Sequence, residues 1–289
     1  MTDLRIGLHA LGIGTGANRD VIDAVARRAE RRGFATLWSG EHVVMVDEQA
    51  SRYPYAADGK IAVPADADWL DPTVTLSFAA AATSTIRLAT GVCLLPEHNP
   101  VIMAKQLASL DHLSGGRLTA GVGIGWSREE FDALGIPFER RGARTARYAE
   151  AMRTLWRDDP ATYSSEFVSF DAIRVRPAPS RGSIPIVVGG NSDNALRRVA
   201  DWGDGWYGFN LDDVDAVAER MHRITEMCAS AGRSADELAV AVALRSPSVA
   251  DIEPLAALGV TELVIVDAPP ADAGEAVEWV DGLAAEWIR

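Results

Sequence analysis

Three short stretches of the chain place chemistry-bearing residues where backbone must turn. The run "RLTAGVGIGW" carries Gly121, Gly123 and Gly125 at alternate positions and ends in Trp126. A dinucleotide fingerprint needs G-x-G-x-x-G in the first strand-to-helix turn, its third glycine letting the helix pack closely on the strand. Trp126 fills that third place, far down the chain, and the dinucleotide reading fails. The glycines therefore either let a ligand approach backbone at a strand end or relieve crowding inside a closed sheet. In "SGEHV", Glu41 precedes His42. An imidazole with an ordinary pKa of about 6.5 suits proton transfer or hydrogen bonding near neutrality, and equally suits holding the loop that follows. Glu41 suits orienting a backbone or a ligand hydroxyl. In "VVGGNSDNALRR", Gly189 and Gly190 leave backbone bare, Asn191 or Ser192 caps a helix, and the free amides of its first turn suit a phosphate. Arg140, Arg141 and Arg144 in "ERRGARTARYAEAMRTLW" supply cations for an anion or simply a solvated helix face.

What must position these residues is an alternation of β-rich runs and helix-period runs, the pattern of a parallel sheet with crossover helices. The strands read 4–10, 34–43, 86–94, 117–125, 184–190, 205–210, 237–244 and 261–268. The helices read 19–33, 71–83, 100–114, 127–134 with 142–157, 192–203, 212–230, 249–257 and 272–287. Eight such pairs close a TIM (β/α)8 barrel, and the stretch "TYSSEFVSFDAIRVRPAPS" reads as a β-hairpin insertion between strands four and five. With no linker at mid-chain, residues 1–289 form a single barrel domain. Barrel active sites lie at the carboxyl ends of the strands. The positions that matter there are Glu41 and His42, Thr90 to Leu94, Gly123 to Trp126, Gly189 to Ser192 and Gly208 to Asn210, with Trp38, Trp126, Trp206 and Phe209 able to wall a flat ring.

Composition excludes several classes. The formal charge of −13 is opposed to binding nucleic acid through clustered cations, and Lys60 and Lys105 are the only lysines. Cys93 and Cys228 sit far apart in separate apolar segments, which is neither a disulfide framework nor a CxxC motif. Glu41, His42, His98 and His112 show no metal-ligand spacing, so no metal is expected. No apolar run reaches the roughly 20 residues that cross a bilayer, and "MTDLRIGLHALG" lacks a signal-peptide pattern, so the expected location is cytoplasmic.

The segments "TLWSGEHV", "DPTVTLSFAAAATSTIRLATGV", "NPVIMAKQLASLDHLSGGRLTAGVGIGWSREEFDALGIPFERRGARTARYAEAMRTLW" and "PIVVGGNSDNALRRVADWGDGW" resemble the luciferase-like monooxygenase superfamily, above all its branch of oxidoreductases dependent on the deazaflavin coenzyme F420. The resemblance runs from the first strand to about Asn210. It implies a TIM barrel, usually a homodimer, with a flavin or deazaflavin in a deep pocket. Gly123, Gly125 and Trp126 would then flank the ring. Thr90, Gly91 and Val92 would back it, with a nonprolyl cis bond at Gly91-Val92. Gly189, Gly190, Asn191 and Ser192 would hold the cofactor's phosphate. Trp126 stands where deazaflavin-dependent sugar-phosphate dehydrogenases place a catalytic glutamate, which speaks against that substrate class and leaves Glu129 and Glu130 one helical turn on.

The expected activity is hydride transfer between F420 and a small organic substrate, with His42 moving the substrate's proton and Glu41 and Arg144 among the cofactor contacts. The alternatives are an FMN-dependent two-component monooxygenase fed by a flavin reductase, and a noncatalytic flavin-binding barrel. A flavin or F420 reductase is the implied protein partner besides a second copy of the chain.

Overall fold

The computed structural model describes residues 4–9 and 11–288. The first strand, β1 (Arg5–His9), leads into α1 (Arg19–Arg32), which Asn18 caps by accepting the Val21 amide and Gly33 closes in the left-handed conformation at φ 91°. The same unit recurs around the molecule: β2 (Thr36–Ser39) with α2 (Pro72–Ala82), then β3 (Arg87–Thr90) and β4 (Cys93–Leu94) with α3 (Pro100–Ser114). Next come β5 (Leu118–Gly123) with α4 (Arg128–Ala133) and α5 (Arg141–Arg157), then β6 (Ala161–Ser164) and β7 (Ser169–Ile173). The remaining units are β8 (Ile186–Gly189) with α6 (Asp193–Trp202), β9 (Gly205–Leu211) with α7 (Val214–Ser230), β10 (Ala239–Leu244) with α8 (Ile252–Ala257), and β11 (Glu262–Val266) with α9 (Ala273–Trp287). Nearly every helix begins at a capping Asn, Asp or Ser that accepts an amide of the first turn.

The sheet runs β3-β2-β1-β11-β10-β9-β8-β5-β4 with all neighbours parallel, and β3 also pairs β5 through Leu88 with Leu118. That last pairing closes a barrel of eight strand positions, because β3 and β4 are one strand interrupted at Gly91-Val92, where the peptide is cis. The strand expected over 86–94 is therefore split, and the strand expected over 34–43 ends at Ser39. Ala10, placed in the first expected strand, lies outside the described residues. β6 and β7 pair antiparallel as a separate two-stranded sheet.

Two apolar layers hold the barrel. Between strands and helices lies the larger one, built from residues such as Leu37, Leu88, Met103, Ile186, Leu196 and Leu263. Inside the barrel a smaller one stacks Trp38 on Tyr207 at 4.5 Å and surrounds them with Ala89, Val187, Ala241, Ala243 and Val264. The floor is polar. Glu262 accepts hydrogen bonds from Thr36, from the Trp38 indole and from Arg87, so its buried charge is paired at the end of the barrel opposite the mouth. Small residues face the two large rings, and this explains the first strand-four glycine. A Cβ on Gly121 would lie inside contact distance of the Thr90 carbonyl oxygen, a backbone atom that cannot swing away.

Candidate active site

At the carboxyl ends of the strands the chain encloses a cavity of about 720 Å³. The polar segment after β2 forms its outer wall. Trp69 donates to the Gly40 carbonyl, Asn210 donates to the Tyr55 carbonyl, and Tyr53 and Tyr55 pack edge to face at 5.4 Å. The inner wall is the Gly91-Val92 bulge, and the far side is Gly189, Gly190, Tyr207 and Phe209.

His42 is an ionisable group at this wall whose ring is backed by a buried carboxylate. Its Nδ1 lies 2.9 Å from Glu130 Oε2, and the other carboxylate oxygen of Glu130 accepts the amides of Val43 and Val44. Glu130 is wholly buried, so its charge is held by these donors. The imidazole is further fixed by the edges of Trp69 at 4.9 Å and Trp126 at 5.8 Å. In the tautomer whose Nδ1–H donates to the carboxylate, Nε2 presents the lone pair. Glu129, the neighbouring acid, does something else: it caps the loop by accepting the amides of Ala50 and Ser51.

Of the remaining residues singled out from the sequence, Glu41, Gly91, Val92, Trp126, Gly189 and Gly190 line the cavity with His42. Glu41 spends its carboxylate on the Leu94 amide at 2.5 Å and on His98 Nε2 at 3.0 Å, which ties β4 to the end of β2. Glu41, His98 and Cys93 bring three potential ligand atoms within 4.8 Å of one another. Burial pushes the Cys93 thiol well above its ordinary range, and the carboxylate is already shared with His98.

Thr90, Gly123, Gly125, Asn191, Ser192 and Arg144 lie outside the cavity lining. Thr90 is buried and donates to the Gly121 carbonyl. Gly123 makes room for Val92, since a Cβ there would sit 2.6 Å from Val92 Cγ2, and a Cβ on Gly125 would meet Phe131. Gly123 thus acts behind the wall, letting the bulge seat, while Gly125 makes room for Phe131. Asn191 braces Phe209 by bonding both its amide and its carbonyl, and Ser192 caps α6. The Arg144 guanidinium, expected among the cofactor contacts, is buried and donates to the carbonyls of Pro137 and Glu139. Arg140 pairs with Glu166, and Arg141 donates to the Gly125 carbonyl over the Phe138 ring at 3.7 Å.

Four candidate positions escape the sequence reading. His9 ends β1, lines the cavity, and bonds the Tyr207 hydroxyl at 2.7 Å; burial lowers its pKa to about 4, so it is neutral at physiological pH. Its place at the carboxyl end of a strand is the signal that could have found it. Tyr207 and Trp69 required tertiary packing to reveal. Arg198, on α6, is the fourth: its Nε is buried without a hydrogen-bond partner, and Tyr55 and Arg141 are its electrostatic neighbours.

Beside Gly125 lies an unusual acid. Both oxygens of Glu97 are buried and unpartnered, and burial first, then the nearby Glu130 and Glu41 charges, push its pKa up to about 9. Glu97 is therefore neutral beside a charged Glu130. Between about 4.5 and about 9 the unfolded chain has released this proton and the folded chain has not, so stability falls as pH rises through that window. Glu97→Gln should remove that slope and raise Tm, by an amount growing with pH to a few kcal/mol near pH 8, roughly 5 °C or more. Thermal melts of both proteins across the window check it, and a pH-independent difference would contradict it.

Among the described residues no helix is long and apolar enough to cross a membrane. The luciferase-like monooxygenase family model matches residues 7–282. An uncharacterised protein of Mycobacterium tuberculosis is 39% identical over 265 residues, covering 91% of this chain and 92% of its own. The barrel superposes on monooxygenase RslO1 from Streptomyces bottropensis with a TM-score of 0.77 at 19% identity, covering 98% of each chain. On the coenzyme F420 dependent tetrahydromethanopterin reductase from Methanopyrus kandleri it does so with a TM-score of 0.74 at 20% identity, covering 99% of this chain and 98% of that one. A family model spanning nearly the whole chain, on a closed barrel whose cavity opens at the strands' carboxyl ends, means that this chain belongs to the luciferase-like monooxygenase family.

Proposed function

We propose that the chain is an F420-dependent oxidoreductase that moves a hydride between the deazaflavin and a small organic substrate. The observation that carries the reading is the His42–Glu130 pair set at the cavity wall, a proton acceptor held rigidly where a substrate hydroxyl would lie. The residues present fit the cofactor. Val92 and Gly91 offer a flat backing, and bare backbone at Gly189 and Gly190 leads to the first turn of α6, where the free amides and the unpartnered Arg198 suit a phosphate. Whole-length likeness in fold to an F420-dependent reductase and to a monooxygenase alike is compatible with a flavin-type cofactor in this cavity.

When bound, the deazaflavin supplies or accepts the hydride at its C5. The chain's own part is orientation and proton handling. In the oxidative direction His42 Nε2 takes the proton of the substrate hydroxyl as the carbon loses hydride, and in the reverse direction it returns it. Glu130 holds the ring and favours the imidazolium formed, and neutral Glu97 adds no second charge beside Glu130. Tyr53, Tyr55, Trp69 and Trp126 keep the substrate end of the cavity apolar and shed water.

A side-by-side fluorescence titration with F420 and FMN tests the reading. F420 should bind at micromolar Kd or tighter, and FMN at least about tenfold more weakly. The opposite preference would make the chain an FMN monooxygenase, and failure to bind either would sink both.

A further inference from the structure

Outside the barrel mouth, the flank between α5 and α6 holds a second cavity of about 730 Å³. Both helices follow barrel strands, so their first turns lie at the mouth. The crevice begins there, at Gly142 and Asn194, and descends to Arg157 and Trp202 along facing helix surfaces, with the Arg198 side chain reaching up toward Gly142. Five arginines line it, Arg147, Arg153, Arg157, Arg197 and Arg198, against the acids Glu150 and Asp201. In a chain of formal charge −13 this is a concentrated local excess of cations.

Three of these arginines already have partners: Arg147 with Glu150, Arg153 with Asp204, and Arg157 with Asp158. Among the described residues Arg197 and Arg198 have no acidic partner, and Arg198 Nε is buried with no hydrogen-bond partner. Arg198 stands on the shoulder between the two cavities. A Cβ on Gly142 would lie 3.3 Å from its Nη1, while Tyr55, which lines the barrel cavity, is its electrostatic neighbour. Any anion seated at Gly190 and Arg198 is therefore at the top of a basic channel. Its α5 wall is a 17-residue helix, about 25 Å long, and extended chain needs about 3.5 Å per residue.

We propose that the α5–α6 crevice is a subsite for a chain of carboxylates, the oligoglutamate tail that F420 carries beyond its phosphate and FMN lacks. Arginine suits the role because its planar fork meets a carboxylate with two parallel hydrogen bonds. This inference rests on the F420 reading and makes a claim of its own: the chain distinguishes tail lengths, and Arg197 contributes to that distinction.

The test is a titration of the full chain with long-tailed F420 and with F420 trimmed of all its glutamates, using the wild type, Arg197→Glu and Arg197→Lys. Several part-exposed ion pairs should make long-tailed F420 bind about fivefold tighter than the trimmed form at low salt, with the advantage shrinking as salt rises. Arg197→Glu should abolish the advantage and leave the trimmed form within about twofold of wild type, while Arg197→Lys keeps most of it. Equal affinity for the two forms on the wild type would overturn the subsite and leave the F420 reading standing. So would a tail advantage untouched by Arg197→Glu. Failure of both F420 forms to bind would end the F420 reading and the subsite with it.

Discussion

Replacing His42 with alanine should lower kcat by about 10²–10⁴-fold, the range lost when a positioned acid–base group is removed. Among the cavity-lining groups, His42 is the imidazole backed by a buried carboxylate. His42 is held by Glu130, which is itself held by two backbone amides, and by the edges of two tryptophans. Removing the ring touches neither Gly190 nor Arg198, where the proposed cofactor phosphate would sit. Cofactor Kd should therefore change by less than about twofold while kcat falls, the split expected when a transition-state interaction is lost and ground-state binding is kept. Turnover unchanged by the substitution would remove His42 from the mechanism and return it to the role of a loop anchor.

The largest effect on stability should come from Gly121→Ala. Its new methyl would press on the Thr90 carbonyl where β3 and β5 close the barrel, and neither strand can move without repacking Trp38 against Tyr207. Overpacking of this kind, against backbone, should cost about 3 kcal/mol or more. Gly282→Ala in α9 makes the opposite prediction. Nothing lies near the added methyl, so the helix gains about 0.5–1 kcal/mol from lower backbone entropy in the unfolded chain. Chemical denaturation of the two variants should move the midpoints in opposite directions. A stable Gly121→Ala protein would mean that the packing at β3 and β5 does not require a glycine there.

The alternation of strand and helix was legible because each unit carries its own punctuation, such as Asn18 and Gly33 around α1 or Ser192 before α6. The rule that chemistry gathers at the strands' carboxyl ends then led to His42, Gly91, Trp126 and Gly190. It would have led equally to His9 at the end of β1. Roles were harder to read than places. Arg144 and Arg198 look alike as letters, yet one is folded into carbonyls and the other is left unpartnered, a difference set by which way each helix faces. Glu129 and Glu130 are adjacent, and a rotation of one residue along α4 gives one to a loop and the other to His42. The strand-four glycines carry the same ambiguity, since spare room and ligand access have one sequence signature. Only the neighbours Thr90, Val92 and Phe131 decide between them.

The most direct test of hydride transfer without oxygen is to incubate the chain under nitrogen with F420 and a panel of small alcohols, following the deazaflavin's visible absorbance. The structure predicts bleaching that is lost in the His42→Ala protein. No bleaching with any alcohol, together with oxygen uptake when reduced FMN is supplied in air, would contradict it and identify a flavin monooxygenase.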